Sequence, residues 1–297
     1  MGETQHRSGF VNIIGNPNVG KSTLMNSLVG EKLSIVTAKA QTTRHRIMGI
    51  VSGDDYQIVY SDTPGILKPN YKLQESMMNF VDVAIGDADI ILYVTDVVEK
   101  ADKNREYVEK LNLLTCPVIV IINKIDKSTQ EDVRQLAEQW HQDVPKAEIY
   151  AISALEKFNV DTIFNRILEL LPVSPPWYDK DVFTDRSMRF FASEIIREKI
   201  LENYDKEIPY STEVVIEEFK EGDERYDISA VINVMRPSQK GIIIGRNGSA
   251  LKKTGTEARI DMEHFFEKKV FLKLFVKVEP NWREDRKALK RFGYIQD

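Results

Sequence analysis

A single cysteine, Cys116, occurs in 297 residues. No disulfide can therefore close within the chain, and this usage fits a reducing compartment. Beside Pro117 and the run "VIVII", Cys116 reads as a buried packing residue without a catalytic role. Long apolar runs are missing too: none approaches the roughly 18 residues that span a bilayer. The opening "MGETQHRSGF" is polar and lacks the apolar centre of a secretory signal. Insertion into a membrane is excluded on this reading, and peripheral contact is not. Nor is there an excess of positive charge: the formal net charge is −5, which by itself argues against a nucleic-acid binder. That average hides a pattern. From Arg236 to Arg291 basic residues outnumber acidic ones by roughly two to one, so the C-terminal end can present a positive face. No internal repeat or low-complexity tract is visible.

What is present is a globular composition, 42% hydrophobic and 29% charged. At about 150 residues per domain, the length predicts two. Residues 1–172 read as a doubly wound, mostly parallel α/β domain. "FVNIIG" is a strand, and "STLMNSLVG" is a helix closed by Gly30. "RHRIMGIVSGDDYQIVYSD" is two strands turning at Gly53-Asp54. "DIILYVTD", "CPVIVIINKID" and "AEIYAISA" are apolar on both faces, as central parallel strands are. Helical segments near 71–86, 103–114, 129–141 and 158–171 separate the strands. Residues 173–187, rich in proline and acid, read as a linker. Residues 188–297 then open with an amphipathic helix carrying Phe190, Ile195 or Ile196, and Ile200 or Leu201 on one side. Two strands follow, then a short helix, a glycine loop, and a longer helix with Ala258, Met262, Phe265 and Phe266 along one face. The alternating strand "VFLKLFVKV" comes last.

The stretch "GNPNVGKST" matches G-x-x-x-x-G-K-[ST] between a strand and a helix. Gly15 and Gly20 let the backbone of Asn16, Pro17, Asn18 and Val19 curl so that successive N–H groups face one anion. The helix N-terminus at Lys21, Ser22 and Thr23 adds partial positive charge. Lys21 then sits near β- and γ-phosphates, and the Ser22 hydroxyl can ligate Mg²⁺. The motif specifies a nucleoside triphosphate; the base is set elsewhere. In "NKID" (Asn123, Lys124, Ile125, Asp126) the Asp126 carboxylate can accept both N–H donors of a guanine edge. "SAL" (Ser153, Ala154, Leu155) suits a further base contact. In "DTPG" (Asp62, Thr63, Pro64, Gly65) Asp62 would hold Mg²⁺ through water, and the Gly65 N–H would meet the γ-phosphate. This set resembles the small GTPase superfamily. By that resemblance the first switch supplies a threonine to Mg²⁺, either Thr42 or Thr43, with Thr43 preferred. Many of these GTPases carry a water-orienting glutamine where this chain has Ile66, so slow intrinsic hydrolysis is expected. The same resemblance makes Asn18 a candidate K⁺ ligand, with K⁺ offsetting phosphate charge.

The second glycine loop, Gly245-Arg246-Asn247-Gly248, lies between two helices, after one strand and before another. That order is the order of a KH module of type II, whose Gly-x-x-Gly loop clamps about four nucleotides of a single strand. Arg246, Lys252 and Lys253 add charge, and Ile242, Ile243 and Ile244 would form part of an apolar groove under the bases. In "NWREDRKALKRFGY", Trp282, Leu289 and Phe292 share a face ringed by basic residues. It could cap the KH core, add RNA contacts or rest on a membrane surface.

A P-loop domain with "KAQTTRHR" in its first switch, followed by a KH domain, resembles the bacterial Era GTPase family over essentially the whole chain. The resemblance implies a GTP/GDP switch that binds the 3′ end of 16S ribosomal RNA and assists 30S subunit maturation. It also implies a cytoplasmic location, partly peripheral on the inner membrane, and a monomer is expected. Two rival readings are a GTPase acting on tRNA, for which no segment is left to form a modification domain, and an RNA-binding scaffold with a structural nucleotide site.

Overall fold

The computed structural model describes residues 5–99 and 104–295. Its chain contacts divide into two compact units, one made of the residues up to Pro69 with Met77–Asp185, the other of Asn70–Ser76 with the residues from Arg186 onward.

The first unit is a six-stranded sheet with helices. Its strands are β1 (Arg7–Gly15), β2 (Ile47–Ser52), β3 (Tyr56–Asp62), β4 (Ile90–Asp96), β5 (Val118–Asn123) and β6 (Glu148–Ala151). They lie in the order β2-β3-β1-β4-β5-β6. Only β2 runs antiparallel, against β3. Consecutive residues such as Ile13 and Ile14, or Ile91, Leu92 and Tyr93, are all buried. Both faces of the sheet are thus covered, which is why these strands read as unbroken apolar runs. The helices are α1 (Lys21–Val29), α2 (Lys72–Gly86, whose residues to Ser76 group with the second unit), α3 (Arg105–Leu113), α4 (Gln130–Asp143) and α5 (Val160–Leu170). Gly30 does close α1 in a left-handed conformation, as expected. Helix α1 packs on α5, while α3 reaches α2 through Lys110–Asp82 and α4 through Asn112. The expected helix near 103–114 is present over Arg105–Leu113, and its residue 103 lies outside the described residues.

Two readings of this region change. Cys116 is partly exposed rather than buried, because it precedes β5 instead of lying in it. The segment 173–187 is no free spacer. Val173 bridges Arg7 and Thr184 bridges Gly49. The Gln57 side-chain Oε1 accepts from the N–H groups of Trp177 and Tyr178 at 2.7 and 2.9 Å. Ile50 N–H donates to the Phe183 carbonyl at 2.9 Å. The proline-rich stretch therefore satisfies an otherwise open edge of β2.

The second unit contains α6 (Met188–Asn203), β7 (Thr212–Glu221), β8 (Arg225–Val234), α7 (Pro237–Ile244), α8 (Ser249–Phe265), β9 (Lys269–Val278) and α9 (Arg286–Arg291). Its sheet runs β7-β8-β9, antiparallel then parallel. Ile196, Ile200, Ile228, Ile232, Ala258 and Met262 share its core. Helix α6 buries Phe191 rather than Phe190, since the buried row continues through Ala192, Ile196 and Ile200. Trp282 and Leu289 are fully buried, and the indole N–H donates to the Ser211 carbonyl at 3.1 Å. The last segment is thus a cap on this core.

Candidate functional site

Parallel register brings the motifs of the first unit together. Ile13 pairs with Asp62, Gly15 with Val94, and Asp96 with Asn123. The carboxyl ends of β1, β3, β4 and β5 therefore share one edge of the sheet, where open α/β sheets place their ligands. The loop after β1 needs its first glycine. Gly15 has φ +145°, and a Cβ there would overlap the Val94 carbonyl oxygen.

Lys21 is buried, and its ammonium donates to the Asn16 carbonyl at 2.8 Å. Burial lowers its pKa to about 8, with Asp62 and Glu99 opposing. Ser22 Oγ donates to Asp62 Oδ2 at 2.7 Å and lies 2.9 Å from Thr43 Oγ1. Thr43 itself donates to Asp62 Oδ2 at 3.2 Å. Thr42 faces elsewhere, bonding to the Lys39 carbonyl and Thr37. Burial pushes the Asp62 carboxyl above its usual range, opposed by Lys21 and by neighbouring hydroxyls, those of Ser22 and Thr43 among them. Asp62 Oδ1 is buried without a hydrogen-bond partner. Three converging oxygens and a spare carboxylate oxygen suit a hard divalent cation.

Asn123 is the hub of the loops after β5 and β6. Its amide donates to the Val19 carbonyl at 2.8 Å, and its oxygen accepts from the N–H groups of Lys124 and Ala154. Lys124 reaches the Asn18 carbonyl and pairs with Asp96 at 2.5 Å. Asp126 is exposed and accepts from the Ser153 hydroxyl at 2.6 Å. Leu155 is exposed beside it. Thr63 bonds inward to the Ile13 carbonyl, so its side chain serves the sheet. Asn18 is exposed with φ +67°.

Ile66 donates its N–H to the Gly15 carbonyl at 3.0 Å and is 1% exposed. The side chain can neither hydrogen-bond nor reach solvent. Two residues without a motif complete this corner. Asn104 donates to Asn16 Oδ1 and, at 3.1 Å, to the Ile66 carbonyl. Glu99 accepts from Asn16 and Thr95. Only their placement in space reveals them.

In the second unit the loop geometry rests on Gly248, which has φ +77° and precedes α8. Open space surrounds the site where its Cβ would sit. Arg246, Asn247, Lys252 and Lys253 are all exposed. Ile243 is fully buried in the core, so only Ile242 and Ile244 could line a groove; the expectation for Ile243 is corrected. Tyr204, which carried no motif, clasps both helices flanking the loop. Its hydroxyl donates to the Ile243 carbonyl at 2.8 Å and accepts from Thr254 at 3.1 Å.

Residues 10–124 match a family described as 50S ribosome-binding GTPase, and residues 207–283 match the KH domain. The chain is 42% identical over 290 residues to GTPase Era of Clostridium perfringens, covering 97% of this chain and 98% of that one. It is 43% identical to GTPase Era of Staphylococcus haemolyticus, covering 99% of both. A solved structure of Era in complex with MgGDPNP and nucleotides 1506–1542 of 16S ribosomal RNA has a TM-score of 0.93 and 39% identity. The superposition covers 98% of this chain and 100% of that one. A variant of Aquifex aeolicus Era bound to GDP·AlF4⁻ gives the same values.

Proposed function

The chain belongs to the GTPase Era family, and from that premise we propose that it is a GTP-controlled factor that binds the 3′ region of 16S ribosomal RNA and assists maturation of the 30S subunit. As a member of this family it binds and hydrolyses GTP and carries a KH domain. The observation that carries the reading is the convergence of Ser22, Thr43 and Asp62 beside the loop that holds Lys21.

In this reading the backbone N–H groups between Gly15 and Thr23, Pro17 having none, cradle the phosphates with that of Gly65, and the Lys21 ammonium lies against the β- and γ-phosphates. Asp126 accepts the guanine N–H donors, with Asn123, Lys124, Ile125 and the Ser153–Leu155 loop framing the base. Ser22, Thr43 and Asp62 would hold Mg²⁺, which when bound neutralises phosphate charge. No side chain at position 66 orients the attacking water, so turnover is slow without help. A potassium ion held at Asn18 would supply compensating charge.

Gly245–Gly248, Ile242, Ile244, Arg246, Lys252 and Lys253 grip the RNA strand. Residues 1–172 form the GTPase domain and 188–297 the KH domain, joined by the edge-bound segment between them. The protein acts as a cytoplasmic monomer with peripheral contact to the inner membrane face. Among the described residues, no helix is long and apolar enough to cross a membrane.

Filter binding against a 16S 3′-end fragment tests this. Nanomolar-to-micromolar binding that Gly248→Asp weakens while GTP binding persists is the expected result. A fragment bound no better than an unrelated RNA of equal length overturns it. Turnover is measured in K⁺ and in Na⁺, with and without that fragment. A background rate in all four mixtures would make the nucleotide site structural.

A further inference from the structure

The outward face of the β7-β8-β9 sheet takes no part in either site above. Side chains of β9 alternate: Val270 and Val276 enter the core, and Lys269, Phe271, Lys273, Phe275 and Lys277 point the other way. All five of these are exposed, Phe271 by 45% and Phe275 by 54%. Two phenyl rings left to water on one strand are a costly use of apolar surface.

The charge around the rings has one sign to spare. Register places Arg225 beside Lys269 and Asp227 beside Phe271. Arg225 lies over the Phe271 ring at 5.3 Å, as does Lys273. The nearby acids are already matched: Asp227 pairs with Arg225 at 3.0 Å, and Glu218 with Lys220 at 2.6 Å. Lys273 also lies in the field of Glu218, which already has Lys220, and among the described residues neither Lys273 nor Lys277 forms an ion pair within 4.0 Å. Strand β9 is also the sheet edge, and it contacts α7 and α8, the helices that flank the Gly245–Gly248 loop.

Resting on the RNA-binding reading of this unit, we propose that the outward face of β9 is a second subsite for single-stranded RNA. Unpaired bases stack on Phe271 and Phe275, with backbone phosphate between the two rings against Lys273 and phosphate beyond Phe275 against Lys277. Alternate side chains on a strand stand roughly 6.6 Å apart, close to the step between phosphates of an extended strand. Aromatic side chains on an open sheet face are a recurrent platform for unpaired bases. Duplex RNA would meet the lysines and leave the rings bare. A protein interface would exclude charge from its centre, whereas here Arg225 and Lys273 lie over the Phe271 ring and Lys273 and Lys277 flank Phe275 along the strand. Of the sheet's two edges, β9 is the one that contacts both helices flanking the glycine loop.

The test uses the full chain with two oligouridines, one of about 16 and one of about six nucleotides. Variants are Phe271→Leu with Phe275→Leu, which keeps apolar volume, and Lys273→Glu with Lys277→Glu. An unchanged melting temperature confirms that each pair folds. Both pairs should weaken the long oligonucleotide about tenfold or more. Neither should alter the short one or GTP turnover. Iodouridine in the long probe should photo-crosslink within 269–278. Unchanged affinity for the long probe overturns the proposal. So does an equal loss on a hairpin duplex, or a change confined to self-association, which would assign the face to protein. Gly248→Asp separates the two readings. If it spares the short probe while the leucine pair weakens the long one, the loop reading fails and the face stands. If it weakens both probes while the leucine pair changes neither, the face alone fails.

Discussion

At the scale of single residues, neighbouring threonines divide sharply. Thr43 joins Ser22 and Asp62, and Thr42 caps its own loop. Thr43→Ala should therefore lower turnover about tenfold or more and raise the Mg²⁺ concentration at half-maximal rate. Thr42→Ala should change neither, and equal effects in a Mg²⁺ titration of the two variants would reject the assignment. Asp126 is exposed and already oriented by Ser153. Asp126→Asn should cost GTP about a hundredfold in affinity and favour xanthosine triphosphate, because an amide donates where xanthine presents an acceptor. Competition between the two nucleotides reads this out. Ser22, Asp62 and Asp126 were legible in sequence because their spacing is their signal; the choice between Thr42 and Thr43 was not. Asn104, Glu99 and Tyr204 were not, because each has a partner dozens of residues away.

At the scale of elements, most strands and helices could be read from periodicity. What could not was which side chains an element leaves outside. Ile243 lies between two groove candidates and is wholly buried, since the last turn of α7 must face its own core. Tyr204 holds that turn to α8. Tyr204→Phe should cost about 1–2 kcal/mol in urea unfolding and loosen RNA binding, with GTP turnover intact. On β6 and α5, the Arg166 guanidinium holds the Glu148 carboxyl below its usual range, with Tyr150 adding a hydrogen bond. The contribution of this depressed group is complete above the ordinary carboxylate pKa and fades as pH falls through the folded value. Glu148→Gln should flatten the acid side of a melting-temperature profile; a profile parallel to wild type would remove this contact from the account. Its exposure keeps the effect small.

At the scale of the molecule, the segment that follows Ile66 is the one to watch. It starts on the Gly15 carbonyl, yet residues Asn70–Ser76 group with the second unit. There Arg283 stacks over Tyr71 at 4.4 Å, and its carbonyl accepts from Leu73 N–H at 3.0 Å. A γ-phosphate that orders Gly65 and Ile66 would bias this stretch. RNA should bind the GTP-analogue form several-fold more tightly than the GDP form, and RNA should tighten GTP by the same factor. Tyr71→Ala should bring that ratio toward one. Equal RNA affinity in both nucleotide states would end the coupling argument.

The sequence alone determined the motifs: two glycine loops, each leading into a helix, an aspartate just beyond β5, and the order of strands and helices around them. Such features are local, since a turn or a helix start needs only its own few residues. Tertiary structure alone decided which of two threonines meets the aspartate, and that the proline-rich stretch seals the β2 edge. It also set Asn104 under Ile66 and left the rings of Phe271 and Phe275 in the open. Those outcomes depend on register and packing between distant segments, which no short spacing encodes.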